Sequence, residues 1–218
     1  MTRAFRLFPL LLAAATLLPP AQADEPETLR ARPLDLQALS PEWSELFAQL
    51  RAPATLRSTF TEERTFSFRQ QPVRLQGTLR LSRERGLSLS YEEPEARTII
   101  VDDRGVLLRD ERGRSRTAPA EATAGTAPLR SILDFDLDAL AQTFAVHGAL
   151  QGDRWLLEFK PLETAPPRTP RFVAVHGTGS QVTLIELTPT ARQQIRITIG
   201  ETDVDTPFDA DEVKQYFR

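Results

Sequence analysis

From Leu56 onward, hydrophobic positions alternate with polar ones in short runs, each ended by Gly, Pro or a charged cluster. A period of two is the signature of strands with one covered and one wet face. Leu56, Ser58 and Phe60 share one face of the first run. Val73, Leu75, Gly77, Leu79 and Leu81 alternate with Arg74, Gln76, Thr78, Arg80 and Ser82, which predicts a strand whose second face meets water. Leu87, Leu89 and Tyr91 follow before Glu92-Glu93-Pro94, then an apolar stretch from Thr98 to Val101, a turn over 102–105 and a run from Val106 to Leu108. Further strands are predicted over 145–151, 154–160, 171–177, 182–188 and 194–200. Helical spacing is rarer. Ser40 precedes Pro41, and Trp43, Leu46, Phe47 and Leu50 lie three or four apart before Pro53, which predicts one helix. After a break rich in Ala and Thr from Pro119 to Pro128, Leu129, Ile132 and Leu133, then Leu137, Leu140, Ala141 and Phe144, predict one or two more.

So many half-wet strands with so few helices predict a mainly β fold with a few α-helices. The expected architecture is an open, strongly curved antiparallel half-barrel covered by short helices around an apolar cavity. A closed barrel or a sandwich would leave the segment 128–144 without a place. The chain of 218 residues suits one domain of fair size, and neither repeats nor a long low-complexity stretch divide it. Residues 40–218 are read as that domain and 24–39, with Pro26 and Pro33, as a flexible arm.

Residues 1–23 read as a cleaved signal peptide. Arg3 and Arg6 precede an apolar run from Leu7 to Leu18, and Ala21-Gln22-Ala23 has the small residues that signal peptidase accepts, with cleavage after Ala23. A membrane anchor is the weaker reading, because the run is short and holds Pro9. No cysteine exists in the chain, so disulfides, thiolate chemistry and acylation of the protein itself are excluded. A periplasmic location follows as the expectation. Cleavage removes two arginines and no acid, leaving 25 basic against 30 acidic residues. That acidic balance, with scattered arginines, argues against a nucleic-acid partner.

Catalytic chemistry finds little support. His147 and His176 are the only histidines and neither has a metal-ligating neighbour in sequence, so no metal or cofactor is expected. Asp134, Asp136 and Asp138 open like a calcium loop, but Ala139 replaces the required glycine and Ala145 the closing glutamate; helix capping is the better role. His176-Gly177-Thr178-Gly179-Ser180 lacks the lysine of a phosphate cradle and reads as a hairpin turn. Neighbouring acids such as Glu62-Glu63 point to opposite strand faces. The expectation is a protein without enzymatic activity.

One resemblance covers most of the chain, from about Trp43 to Asp205. The order of a helix, a strand carrying Phe60, Leu79-Arg80-Leu81-Ser82-Arg83, Leu87-Ser88-Leu89-Ser90-Tyr91 with Pro94, Ile99-Ile100-Val101-Asp102-Asp103-Arg104-Gly105, and a mid-chain helix with Pro128, Leu129 and Leu133 resembles the LolA family. That family comprises periplasmic carriers of outer-membrane lipoproteins, with an unclosed barrel lidded by helices. The chain departs from the pattern at Glu84, where the family has proline, at Leu89 for tryptophan, at Glu62 for glutamine, and at the inserted Arg104. The resemblance implies that Arg83 latches the lid by bonding to helix backbone; an exposed arginine at a strand end is the other reading.

The residues expected to line a lipid site are Phe60, Leu75, Leu79, Leu81, Leu87, Leu89, Tyr91, Leu129, Leu133, Leu137, Leu140, Trp155, Leu157 and Phe159. The implied cargo is lipoprotein acyl chains, passed from an inner-membrane release complex to an outer-membrane acceptor. A free lipid working with an inner-membrane exporter, or a non-carrier envelope assembly module with a filled core, are the alternatives. A charge at Leu89 is expected to abolish binding, and Arg80→Glu, on the wet face, to be tolerated.

Overall fold

The computed structural model describes residues 29–93, 96–118 and 127–218, leaving out the side chains of Glu93 and of residues 127–129. The leader and most of the Ala/Thr-rich break lie outside the described residues, as does the side chain of Leu129.

Twelve strands form one antiparallel sheet: β1 Arg32–Pro33, β2 Thr55–Phe66, β3 Val73–Ser82, β4 Gly86–Glu93, β5 Arg97–Asp102, β6 Gly105–Asp110, β7 Ser115–Thr117, β8 Phe144–Gln151, β9 Arg154–Pro161, β10 Phe172–Thr178, β11 Gln181–Thr190 and β12 Gln193–Val204. Their spatial order is β1-β8-β9-β10-β11-β12-β2-β3-β4-β5-β6-β7. The sheet curves without closing, with β1 and β7 at its two edges. Two meanders, β2 to β7 and β8 to β12, are thus joined where β12 pairs with β2.

Four short helices complete the described fold: α1 Pro41–Arg51, α2 Ala127–Asp134, α3 Leu137–Thr143 and α4 Ala210–Tyr216. α1 starts on Pro41, whose missing N–H costs nothing in a first turn. Its buried stripe of Trp43, Leu46, Phe47 and Leu50 faces the concave side of β8–β11, and each side chain so placed contributes about 1.5–3 kcal/mol. α2 and α3 are separated by Phe135, a buried residue held at φ 50°, and Asp136 caps α3 by accepting from the Ala139 N–H. Phe144, expected to end that helix, instead opens β8, where its ring packs edge-on against Phe159.

The core has two parts. Trp43, Leu46, Phe47, Leu50, Ile132, Phe135 and Leu140 pack with Trp155, Leu157, Phe159, Val173, Val175 and Ile185 under the helices. Phe60, Leu75, Leu79, Leu81, Leu87, Tyr91, Val101 and Val106 form the second cluster on β2–β6. The arm is seated from Arg32, because β1 pairs with β8 and Leu34, Leu36 and Leu39 pack against the first cluster.

The convex face of β2–β6 is not wet, which corrects the reading of Arg80. α4 and the tail beyond it lie across that face, and Arg80 is 8% exposed with its guanidinium carbon 3.6 Å from the centre of the Tyr216 ring. Glu212 accepts from Arg57 at 2.5 Å and lies 4.0 Å from Arg80. Arg109 donates to the carbonyls of Lys214, Gln215 and Phe217 at the end of α4. Arg218 grips the Asp102 carboxylate with two bonds of 2.5 Å and also reaches the Gly105 carbonyl.

The Arg218 bonds hold the Asp102 carboxyl below the usual carboxylate range, against the opposing effect of burial. A depressed folded pKa means that the ion pair stabilises the clasp fully above the unfolded value near 4. That stabilisation is lost as pH falls through the lower folded value. The protection of the amides of residues 210–218 relative to their intrinsic exchange rates should therefore fall in acid, and Asp102→Asn should show that lowered protection already at neutral pH. Slow exchange in that variant would show that the ion pair does not hold the tail.

Candidate functional site

Between the two core clusters lies an apolar cavity of about 130 Å³. This is below the range of about 300–1,000 Å³ typical of small-molecule sites, so a larger occupant requires the cover to move. Leu50, Pro53, Leu133 and Phe135 wall it on the helical side. Leu56, Leu79, Leu81 and Leu87 on β2–β4 face them, and Val182, Ile185, Ile199, Thr202 and Val204 on β11 and β12 close the third side. Polar groups, Arg83, Ser180 and Gln181, join this apolar lining.

The register explains how these residues meet. Leu56 pairs with Leu81, Leu81 with Leu87, and Ser58 with Leu79, so alternate residues of three strands project into one trough. On the other side of β2, Ile199 stands opposite Phe60. Leu133 touches both clusters, as do Ile197 and Ile199.

Arg83, just beyond the end of β3, ties the helices to the sheet. Its Nε donates to the Pro53 carbonyl at 3.2 Å, Nη2 to the Leu50 carbonyl at 3.0 Å and Nη1 to the Asp134 carbonyl at 3.1 Å. Leu50 and Asp134 stand at the ends of α1 and α2, where carbonyls lack intrahelical partners and carry partial negative charge. The Asp134 carboxylate, 3.6 Å from Nη1, adds a charge partner and is itself held by Arg130 at 3.1 Å. One planar side chain thus joins both helix ends at the cavity wall.

Of the residues expected to line a lipid site, Leu79, Leu81, Leu87 and Leu133 line the cavity, with Arg83 beside them. Phe60, Leu75, Leu89, Tyr91 and Leu137 belong to the packed clusters but not to the lining. Leu140, Trp155, Leu157 and Phe159 are buried in the core under the helices and belong to packing. The β11 and β12 wall was missed, although the alternation Ile195, Ile197, Ile199 carries its signal.

A buried polar group sits farther along the same face. Glu62 accepts from the Tyr91 hydroxyl at 2.7 Å and pairs with Arg64 through its other oxygen. Burial raises the Tyr91 pKa, and the Glu62 charge raises it further, so the hydroxyl stays a donor.

The histidines lie on strand faces that point away from the cavity. His176 contacts Glu186 at 3.2 Å, and Arg196 contacts the other Glu186 oxygen. Burial raises the Glu186 pKa, but hydrogen bonds from Arg196 and His176 outweigh it and bring the group below its ordinary value. Among the described residues, no three His, Cys, Asp or Glu side chains gather as a metal site.

A sheet left open, a helical cover and an apolar space between them is a container, and the sequence agrees with this geometry over most of its length. Residues 37–211 match the family model described as outer membrane lipoprotein carrier protein LolA-like. The chain belongs to that LolA-like family. Among solved structures, the LolA-like chain is similar to a LolA superfamily protein from Nitrosomonas europaea, at 8% identity and a TM-score of 0.45, covering 81% of this chain and 97% of that one. It is also similar to a DUF1329 family protein from Desulfovibrio piger, at 9% identity and a TM-score of 0.45, covering 77% and 92%. A search of curated proteins gives no match. The assignment of this LolA-like chain therefore rests on the family model.

Proposed function

We propose that this LolA-like protein is a periplasmic carrier that shelters the acyl chains of lipoproteins in the cavity between α1, α2 and the β11–β12–β2–β3–β4 wall. Its role is transfer from an inner-membrane release complex to an outer-membrane acceptor, after the leader has been removed behind Ala23. The observation that carries this reading is the unfilled apolar cavity whose cover is fastened by one arginine at two helix ends. Moving a methylene out of water is worth about 0.8 kcal/mol, so an acyl chain in transit gains much from an apolar enclosure. Delivery requires that the enclosure also open, and a cover held by a few polar bonds can do so at modest cost. The assembly-module reading calls for a core filled throughout, and the cavity beside the packed cluster under α1 favours the carrier instead.

Photo-crosslinking from position 79 in the native periplasm, followed by mass spectrometry, tests the proposal. Acylated lipoproteins in the adduct are the expected result. A small lipid alone would move the cargo to a free acyl product passed to or from an exporter, and no adduct from folded protein would remove the carrier role. Leu79→Glu should lower the affinity for a fluorescent acyl probe by roughly 100-fold, because a carboxylate on the wall must be desolvated when an acyl chain enters. Unchanged affinity would show that the probe binds elsewhere.

A further inference from the structure

We propose that Phe60 and Tyr91 form a fixed stop that sets the length of acyl chain the cavity accepts. The inference rests on the carrier reading and names a limit that the cavity imposes on its cargo. On β2–β4 the lining ends at the row of Ser58 and Leu79, while on β12 it reaches Ile199, which stands beside Phe60. The next row along the trough is Phe60, Gly77 and Tyr91, paired in that order across β2, β3 and β4. Gly77 contributes no side chain, and the Phe60 ring fills the space over it: a Cβ at Gly77 would come within 3.1 Å of that ring. Tyr91 meets Phe60 edge-on at 5.3 Å between ring centres, so the two rings occupy the row together.

What stands behind the rings makes the stop rigid. The Tyr91 hydroxyl is tied to Glu62 at 2.7 Å, Glu62 is buried and paired with Arg64, and the Arg97 guanidinium carbon lies 5.1 Å from the centre of the Tyr91 ring. A chain end pushing past Phe60 would meet the buried Glu62 carboxylate, which it cannot solvate, so the boundary is chemical as well as steric. The helical side of the cavity is fastened by hydrogen bonds that can exchange with water, whereas this end is fastened through the buried Glu62 carboxylate. The cavity therefore has one wall that can yield and one end that cannot.

Side chains on one strand face recur every two residues, so clearing the Phe60 row would add about 6.8 Å of depth, room for about five more carbons of an extended chain. The test is the affinity of the full mature protein for saturated fatty acids of increasing length, read by displacement of a fluorescent acyl probe. The wild type should bind more tightly with each added carbon up to a limit and gain nothing beyond it. Phe60→Ala should move that limit to longer chains by about five carbons, and Leu79→Phe, which brings the stop one row toward Leu81, should move it to shorter ones. An unchanged limit in folded Phe60→Ala protein overturns the stop while leaving the carrier reading intact. Should Phe60→Ala not fold, an unchanged limit in Leu79→Phe overturns it instead. Absence of saturable binding to the wild type overturns the carrier reading and the stop with it.

Discussion

Arg83→Leu should free the helical cover while leaving the sheet folded. The guanidinium donates to the carbonyls of Leu50, Pro53 and Asp134, and hydrogen bonds from a charged group contribute about 1.5–3 kcal/mol each. Carbonyls at helix ends can take water once released, so the three bonds together are expected to hold the cover by about 2–3 kcal/mol, roughly 30- to 150-fold in its opening equilibrium. Amide exchange over residues 47–53 and 130–136 should accelerate by that factor, with the central strands unaffected. Arg83→Lys keeps the charge but cannot address three carbonyls with one planar fork, and should fall between the two. Equal protection in Arg83→Leu and wild type would mean that apolar packing of α1 and α2 alone keeps the cover shut.

The largest loss of stability is expected from Arg80→Glu. The change puts a carboxylate beneath the Tyr216 ring, facing Glu212, where a half-shared guanidinium now lies. Breaking a buried charge pair costs about 3–5 kcal/mol, and in a domain of this size 1 kcal/mol corresponds to roughly 2–4 °C in Tm. A fall on the order of 10 °C is expected, together with fast exchange throughout α4. Arg80→Met, which keeps the apolar stem under the ring and removes only the charge, should lose much less. A melting temperature within a degree or two of wild type for Arg80→Glu would show that α4 contributes little to the fold.

The same residue shows where local sequence runs out. The alternation of β3 places Arg80 correctly on the face opposite Leu79 and Leu81, and the strands β2–β6 and β8–β12 are legible in that way, whereas the three-residue β7 is too short to show a period. Alternation says which residues share a face, but not what covers the other face. The cover comes from residues 210–218, well over a hundred positions away, and its grip depends on single contacts such as Arg218 with Asp102. The cavity divides along the same line. Leu79, Leu81 and Leu87 are neighbours through short hairpins and could be grouped from sequence, whereas Val182, Ile185 and Ile199 join them only because β12 pairs with β2. Trp155, Leu157 and Phe159 carry the same apolar pattern as the lining residues, yet α1 fills the space above them. Pattern marks a residue as inward-facing; whether it meets a helix or a void is decided by where the helices settle.

Residues 55–66 find their partner in residues 193–204, and this pairing governs the order in which the protein can be assembled. Each meander can form from hairpins as the chain emerges, since its strands are sequential neighbours. β2 pairs with β3 early, but its other edge stays bare until nearly the whole chain is available. A long strand with Phe60 on one side and unsatisfied backbone groups along its rim is a template for pairing with other molecules. The nascent half-sheet is therefore the form most exposed to self-association, and joining the two meanders is the slow, long-range step expected to limit folding. A holding chaperone acting on this protein would have its longest opportunity at that bare edge, before the last strand arrives.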